Sequence, residues 1–148
     1  MKPQTKSHGS TRLQSLKNTC VDFMKAYQDR KVGEMISLCS RDATIWFKPL
    51  GGDGQGTVHE LGKNLWTTLI DCFPDINNTV HSISSEGDQI RCIVSIRGTQ
   101  VKDFAGIRNK NLSFDSEHIF VFKINDDKQI GHIDITWDHS DFIKQLGG

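Results

Sequence analysis

From Leu13 onward the apolar positions of the chain fall into two successive rhythms. Leu13, Leu16, Cys20, Phe23 and Tyr27 recur at steps of three and four residues, which collects them on one face of an α-helix. Ser10 and Thr11 are available to cap its start, and residues 1–9 are read as a disordered arm. Val32, Met35, Ile36 and Cys39 predict a second, shorter helix after the break at Asp29-Arg30-Lys31. A strand is expected over residues 43–48, ending at Pro49 and the loop GGDGQG. Thr57-Val58-His59-Glu60 has the form of a capping box, and Val58, Leu61, Leu65, Leu69 and Cys72 carry a third helix to Phe73-Pro74.

After Pro74 the period changes to two. Residues 78–85 and 89–100 flank the turn signal Glu86-Gly87-Asp88, and residues 112–124 and 128–137 flank Asn125-Asp126-Asp127, so two hairpins are expected. A short last helix over residues 140–146 is closed by Gly147-Gly148. Helices followed by consecutive hairpins predict an α+β domain over residues 10–148, with an antiparallel sheet packed on its helices. A sheet that curls around those helices would enclose a pocket.

The last strand carries the densest candidate chemistry. In "HIDITWD", His132, Asp134, Thr136 and Asp138 share one face, while Ile133, Ile135 and Trp137 share the other. Asp is unusual in strands. The polar face is either the wet side of a sheet or the wall of a site where a carboxylate moves protons.

Composition narrows the classes without choosing among them. The 148 residues carry 18 basic and 18 acidic side chains, with no basic stripe that would suggest nucleic acid or a membrane surface. The first residues are polar, no apolar run approaches a membrane span, and a cytoplasmic location is the expectation. Cys20, Cys39, Cys72 and Cys92 form no CxxC pair and read as buried free thiols, and no metal-ligand spacing joins them to the histidines. The glycine loop lacks the Gly-Lys-Ser/Thr ending of a phosphate loop and reads as a plain turn. His59 and His81 read as solvated, Asp138 as the N-cap of the last helix, and Asp141 as charge favouring that helix's first turn.

Four stretches, "LWTTLIDCFPDI" (65–76), "RGTQVKDFAGI" (97–107), "HIFVFK" (118–123) and "FIKQLG" (142–147), together resemble the SnoaL-like polyketide cyclases of the nuclear transport factor 2-like superfamily. The resemblance spans about residues 13–147. It implies a cone of helices and bent sheet around an apolar cavity, a homodimer formed through the sheet, and a ring closure by intramolecular aldol addition without metal or cofactor. It implies that Asp134 is the general acid/base, with His132 in the matching His-x-Asp context. Two positions depart from the family. Its cavity histidine falls on Phe120, leaving His118, two residues earlier on the same strand face, as the substitute. Its Pro-x-Thr-Gly turn is replaced by Arg108-Asn109-Lys110-Asn111.

The reading that follows is a cofactor-independent enzyme acting on a small apolar carbonyl compound. Asp134, His118 and His132 are its candidate catalytic residues, and Trp46, Trp66, Phe73, Phe104 and Phe120 its candidate walls. The alternatives are a carrier that holds an apolar metabolite unchanged, and an interaction module with no ligand.

Overall fold

In the computed structural model, residues 4–148 are described, with side chains from residue 12 onward. The arm expected over residues 1–9 lies at residues 1–3 outside the described ones, and the first helix, α1, runs Gln4–Gln28. It therefore begins before Ser10 and Thr11 instead of being capped by them. The apolar stripe behaves as its spacing predicts: Cys20, Phe23, Met24 and Tyr27 are buried. α2 (Val32–Ser37) packs beside it. Asn78 fastens α1 to the sheet, donating from Nδ2 to the Met24 carbonyl and from its backbone N–H to Gln28 Oε1.

The sheet has six strands: β1 (Cys39–Phe47), β2 (Gln55–Thr57), β3 (Asn77–Glu86), β4 (Gln89–Thr99), β5 (Ser113–Ile124) and β6 (Ile130–Trp137). Their spatial order is β2-β1-β6-β5-β4-β3. Both expected hairpins form, with Gly87 in the left-handed region at φ 65° between β3 and β4, where only glycine is free of strain. The wholly antiparallel sheet expected from the hairpins is corrected at one junction: β1 lies parallel to β6, with Trp46 opposite Asp134. Local turn signals read hairpins, whereas the β1–β6 pair joins strands far apart in sequence and leaves no local mark. Register shifts in β1, β3 and at the start of β6 bend the sheet into an open curve.

The first four residues of GGDGQG and the three before them form 3-10 turns over Lys48–Gly54, broken by a kink at Gly51 (φ 65°), and the loop's last two residues begin β2. The Thr57 half of the capping box forms, Thr57 Oγ1 accepting from the Glu60 N–H, and the first turn (Val58–Gly62) is π-helical before α3 (Lys63–Cys72) continues it. His59 is corrected from solvated to half-buried, with Nε2 bonded to the Ser40 carbonyl at 3.1 Å. The last helix, α4 (His139–Gln145), has Asp138 as its N-cap, accepting from the Asp141 N–H at 3.0 Å. All four cysteines are buried free thiols. No helix among the described residues is long and apolar enough to cross a membrane.

Candidate active site

The concave side of the sheet, α1, α3 and α4 surround an apolar cavity of about 240 Å3. Its walls follow from strand parity. On β5 the inward set is Phe114, Ser116, His118, Phe120 and Phe122; on β6 it is Ile133, Ile135 and Trp137. Tyr27 from α1 and Trp66 from α3 close one side, Phe142 and Ile143 from α4 another, and Phe104, Ala105 and Ile107 from the β4–β5 connection lie across the mouth. That connection is tied down by the fully buried Gln100, whose Nε2 donates to the carbonyls of Lys102 and Ile107.

Four of the candidates line this cavity: His118, Trp66, Phe104 and Phe120. Phe73 does not reach it. Its ring stands behind the wall, 5.1 Å from Phe114 and 5.6 Å from Phe104 between centroids.

Asp134, His132 and Trp46 are corrected more fundamentally, because they lie on the outer face of the sheet. Since Ile133 and Ile135 are buried inward, the alternation of β6 turns Asp134 the other way. There His132 Nε2 meets Asp134 Oδ1 at 2.8 Å and His132 Nδ1 meets Thr44 Oγ1 at 2.6 Å, a chain running across the parallel β1–β6 junction. The His132 and Asp134 side chains keep 35% and 25% of their surface accessible. Trp46, beside them, donates its indole N–H to the Gly51 carbonyl and carries the Lys48 ammonium 5.4 Å above its ring. The polar stripe of "HIDITWD" is thus the outer face, and its apolar stripe is the one that looks into the site.

Besides Tyr27 and Trp66, the cavity's lining holds two histidines joined by a tryptophan. His118 stacks on Trp137 with centroids 5.3 Å apart and planes 16° from parallel. Its Nδ1 lies 3.3 Å from the Ser116 carbonyl oxygen. The Ser116 hydroxyl oxygen lies 3.4 Å from the same nitrogen. With Nδ1 donating to the carbonyl, which only accepts, Nδ1 carries the proton and Nε2 keeps a bare lone pair. On the other side Trp137 Nε1 donates to His139 Nδ1 at 3.2 Å. Indole N–H only donates, so neutral His139 carries its proton on Nε2. One imidazole is thus set as acceptor and the other as donor. The sequence reading missed Trp137 and His139. The signal for Trp137 is present in the sequence, since it alternates with Ile133 and Ile135 on the apolar face.

Burial among aromatic rings pushes His118 down from 6.5 to about 4, its hydrogen bond to Ser116 opposing. No carboxylate lines the cavity among the described residues to offset that burial. Folded His118 therefore stays neutral while the unfolded chain titrates near 6.5. Stability is undiminished above pH 6.5, falls as the pH drops toward 4, and levels below that. Denaturant unfolding at pH 7 and pH 4.5 should show a larger acid loss for the natural chain than for His118→Phe. Equal losses would mean that the imidazole is not shielded.

Among the described residues no group of three or more His, Cys, Asp or Glu side chains is placed to hold a metal ion. The family model for the SnoaL-like polyketide cyclases matches residues 59–146, more than half of the chain. Comparison with curated proteins gives no match. Among solved structures the chain is similar to a SnoaL-like polyketide cyclase candidate from Jannaschia sp. CCS1, with TM-score 0.80 and 14% identity over 91% of this chain and 93% of that one. It is also similar to IdmH, a candidate polyketide cyclase from Streptomyces antibioticus, with TM-score 0.76 and 22% identity over 90% and 99%. AclR from Streptomyces galilaeus, a candidate hydroxylase, gives TM-score 0.77 and 17% identity over 89% and 95%. At these identities the likeness is one of fold, and the fold carries more than one chemistry.

Proposed function

Because the chain belongs to the SnoaL-like polyketide cyclase family, we propose that it is a cyclase-type enzyme acting on a small apolar carbonyl compound held in the cavity, by general acid/base chemistry without a cofactor. The observation that carries this reading is an aromatic cavity in which the side chains of His118 and His139 stand among mostly apolar walls, with Tyr27 on another side. Few polar groups in an apolar pocket are what fix the orientation of a bound molecule. The acid/base role expected of Asp134 has no place inside this cavity, since its carboxylate is bonded to His132 on the outer face. The chemistry is therefore assigned to groups that look inward.

A second reading has one observation in its favour. No Asp or Glu lines the cavity among the described residues, and a pocket without a carboxylate base suits a carrier that holds its ligand unchanged. Tryptophan fluorescence on adding 2-naphthol, together with NMR of small β-keto esters incubated with the protein, separates the two. Binding with conversion supports the enzyme. Binding with every ester returned unchanged supports the carrier, and no binding at all ends both.

The same proposal includes a homodimer formed through the sheet. The outer face of β4 and β5 carries half-buried Ile93, Ile119 and Val121, an apolar patch on an unclosed sheet, with Trp46 of β1 on the far side of Asp134. Light scattering that returns the mass of one chain at working concentration would remove this part.

A further inference from the structure

We propose that His118 and His139 form the acid/base pair of this site, His118 Nε2 taking a proton from carbon and His139 Nε2–H holding the oxygen that becomes negative, on a substrate of one or two rings. This rests on the cyclase reading and adds to it the residues and the size of the molecule.

The pair is set by hydrogen bonds. The Trp137 indole can only donate, which places the proton of neutral His139 on Nε2, and donation from His118 Nδ1 to the Ser116 carbonyl at 3.3 Å, closer than the Ser116 hydroxyl at 3.4 Å, leaves His118 Nε2 as the acceptor. Trp137 holds both, stacking on His118 at 5.3 Å and bonding to His139, which makes it the positioning residue of the pair. His139 is further held by stacking on Phe142, with centroids 5.9 Å apart and planes 16° from parallel. The β5–β6 pairing sets His118 opposite Trp137, and α4, which starts at His139 where Asp138 caps it at the end of β6, brings the second ring to the same wall. A donor fixed in an apolar site needs no reorganisation when charge develops on the oxygen beside it.

The step balances without an outside reagent. His118 Nε2 takes a proton from the carbon next to a carbonyl. The C–H electron pair becomes the enolate double bond, and the carbonyl π pair moves to the oxygen that His139 Nε2–H holds. The enolate double-bond pair then forms the bond to a second carbonyl carbon of the same molecule, the first oxygen's pair restores its carbonyl, and the second carbonyl's π pair moves to its own oxygen. That alkoxide takes back the proton from His118. The product is an isomer of the substrate, and both imidazoles end as they began. Burial makes His118 a weak base, so the C–H bond must be acidified by a second flanking group.

Size follows from volume. A cavity of about 150 Å3 lined by apolar side chains takes benzene, and drug-sized ligands need about 300 Å3 or more. At about 240 Å3 this one lies between them, which suits a compound of one or two rings.

The test uses 2-tetralone, a two-ring ketone with acidified C1 hydrogens, and follows their exchange for deuterium in heavy water by NMR. 2-Naphthol, the same size and shape as its enol, reports binding alone. The natural chain is expected to bind 2-naphthol and to speed exchange. His118→Leu should still bind it while losing about a hundredfold or more of the exchange rate. Trp137→Phe keeps a ring on His118 and removes the N–H. It should weaken 2-naphthol binding and move the pH profile of exchange, which a purely structural role would not do. Asp134→Asn should match the natural chain. Exchange that is fast in the natural chain and unchanged in His118→Leu, or lost in Asp134→Asn, overturns the pair while leaving the cyclase reading standing. Binding of 2-naphthol with no exchange above the solution rate also overturns the pair. Failure of 2-naphthol and of larger ketones to bind defeats the cyclase reading itself.

Discussion

Phe73→Ala is expected to cost about 4 kcal/mol of stability, the middle of the range for deleting a fully buried aromatic ring. The ring is 0% exposed and joins four segments of the fold. It ends α3, lies 5.6 Å from Phe104 in the connection across the cavity mouth, 5.1 Å from Phe114 on β5, and 6.3 Å from Phe142 on α4. Its neighbours cannot close the gap, because the backbone already sits tightly there: a Cβ at Gly98 would be 3.2 Å from Phe73 Cβ and 3.3 Å from Ile76 Cα. Domains of this size are stable by only about 5–15 kcal/mol, so the variant loses a large share of the total. Urea unfolding monitored by tryptophan fluorescence should show the midpoint falling with little change of slope. A loss below about 1 kcal/mol would mean that the cluster collapses around the deletion, which the contact geometry argues against.

Trp66→Ala is expected to act on stability and on ligand size together. The indole is 1% exposed and stands edge-on to Phe23 at 5.5 Å and to Phe47 at 5.9 Å. Gly62 leaves it room, since a Cβ there would come within 2.9 Å of the indole. Because the other side of Trp66 faces the cavity, its removal merges new space with existing space. The cost should fall near the lower end of about 3–5 kcal/mol. The enlarged cavity should prefer a three-ring compound such as 2-anthrol to 2-naphthol, reversing the order in the natural chain. Fluorescence titrations with the two compounds check this, and an unchanged order would mean that Trp66 does not limit the cavity.

Both variants probe residues whose burial is legible in the sequence, and the contrast with Asp134 is instructive. The period of Leu16, Cys20, Phe23 and Tyr27 and the order of hairpins carry the fold class, because each element's buried stripe is written locally. The capping box at Thr57 and the N-cap at Asp138 are legible for the same reason: a cap is a bond between residues three positions apart. Asp138 matters twice, since the helix it starts delivers His139 to the cavity wall.

By itself the sequence determined the helices, the two hairpins, the burial of the cysteines and the alternation of "HIDITWD" into an acidic stripe and an apolar one. Which stripe looks inward was decided only by the tertiary structure. Alternation defines two faces but does not say which one a curved sheet turns toward its helices, and that choice goes to the face with more hydrocarbon to remove from water. The same rule put Ile133, Ile135 and Trp137 inside with His118 and left Asp134 and His132 bonded to each other outside. The pairing of β1 with β6 was likewise settled only in three dimensions, because it joins strands too far apart in the chain for any local pattern to record.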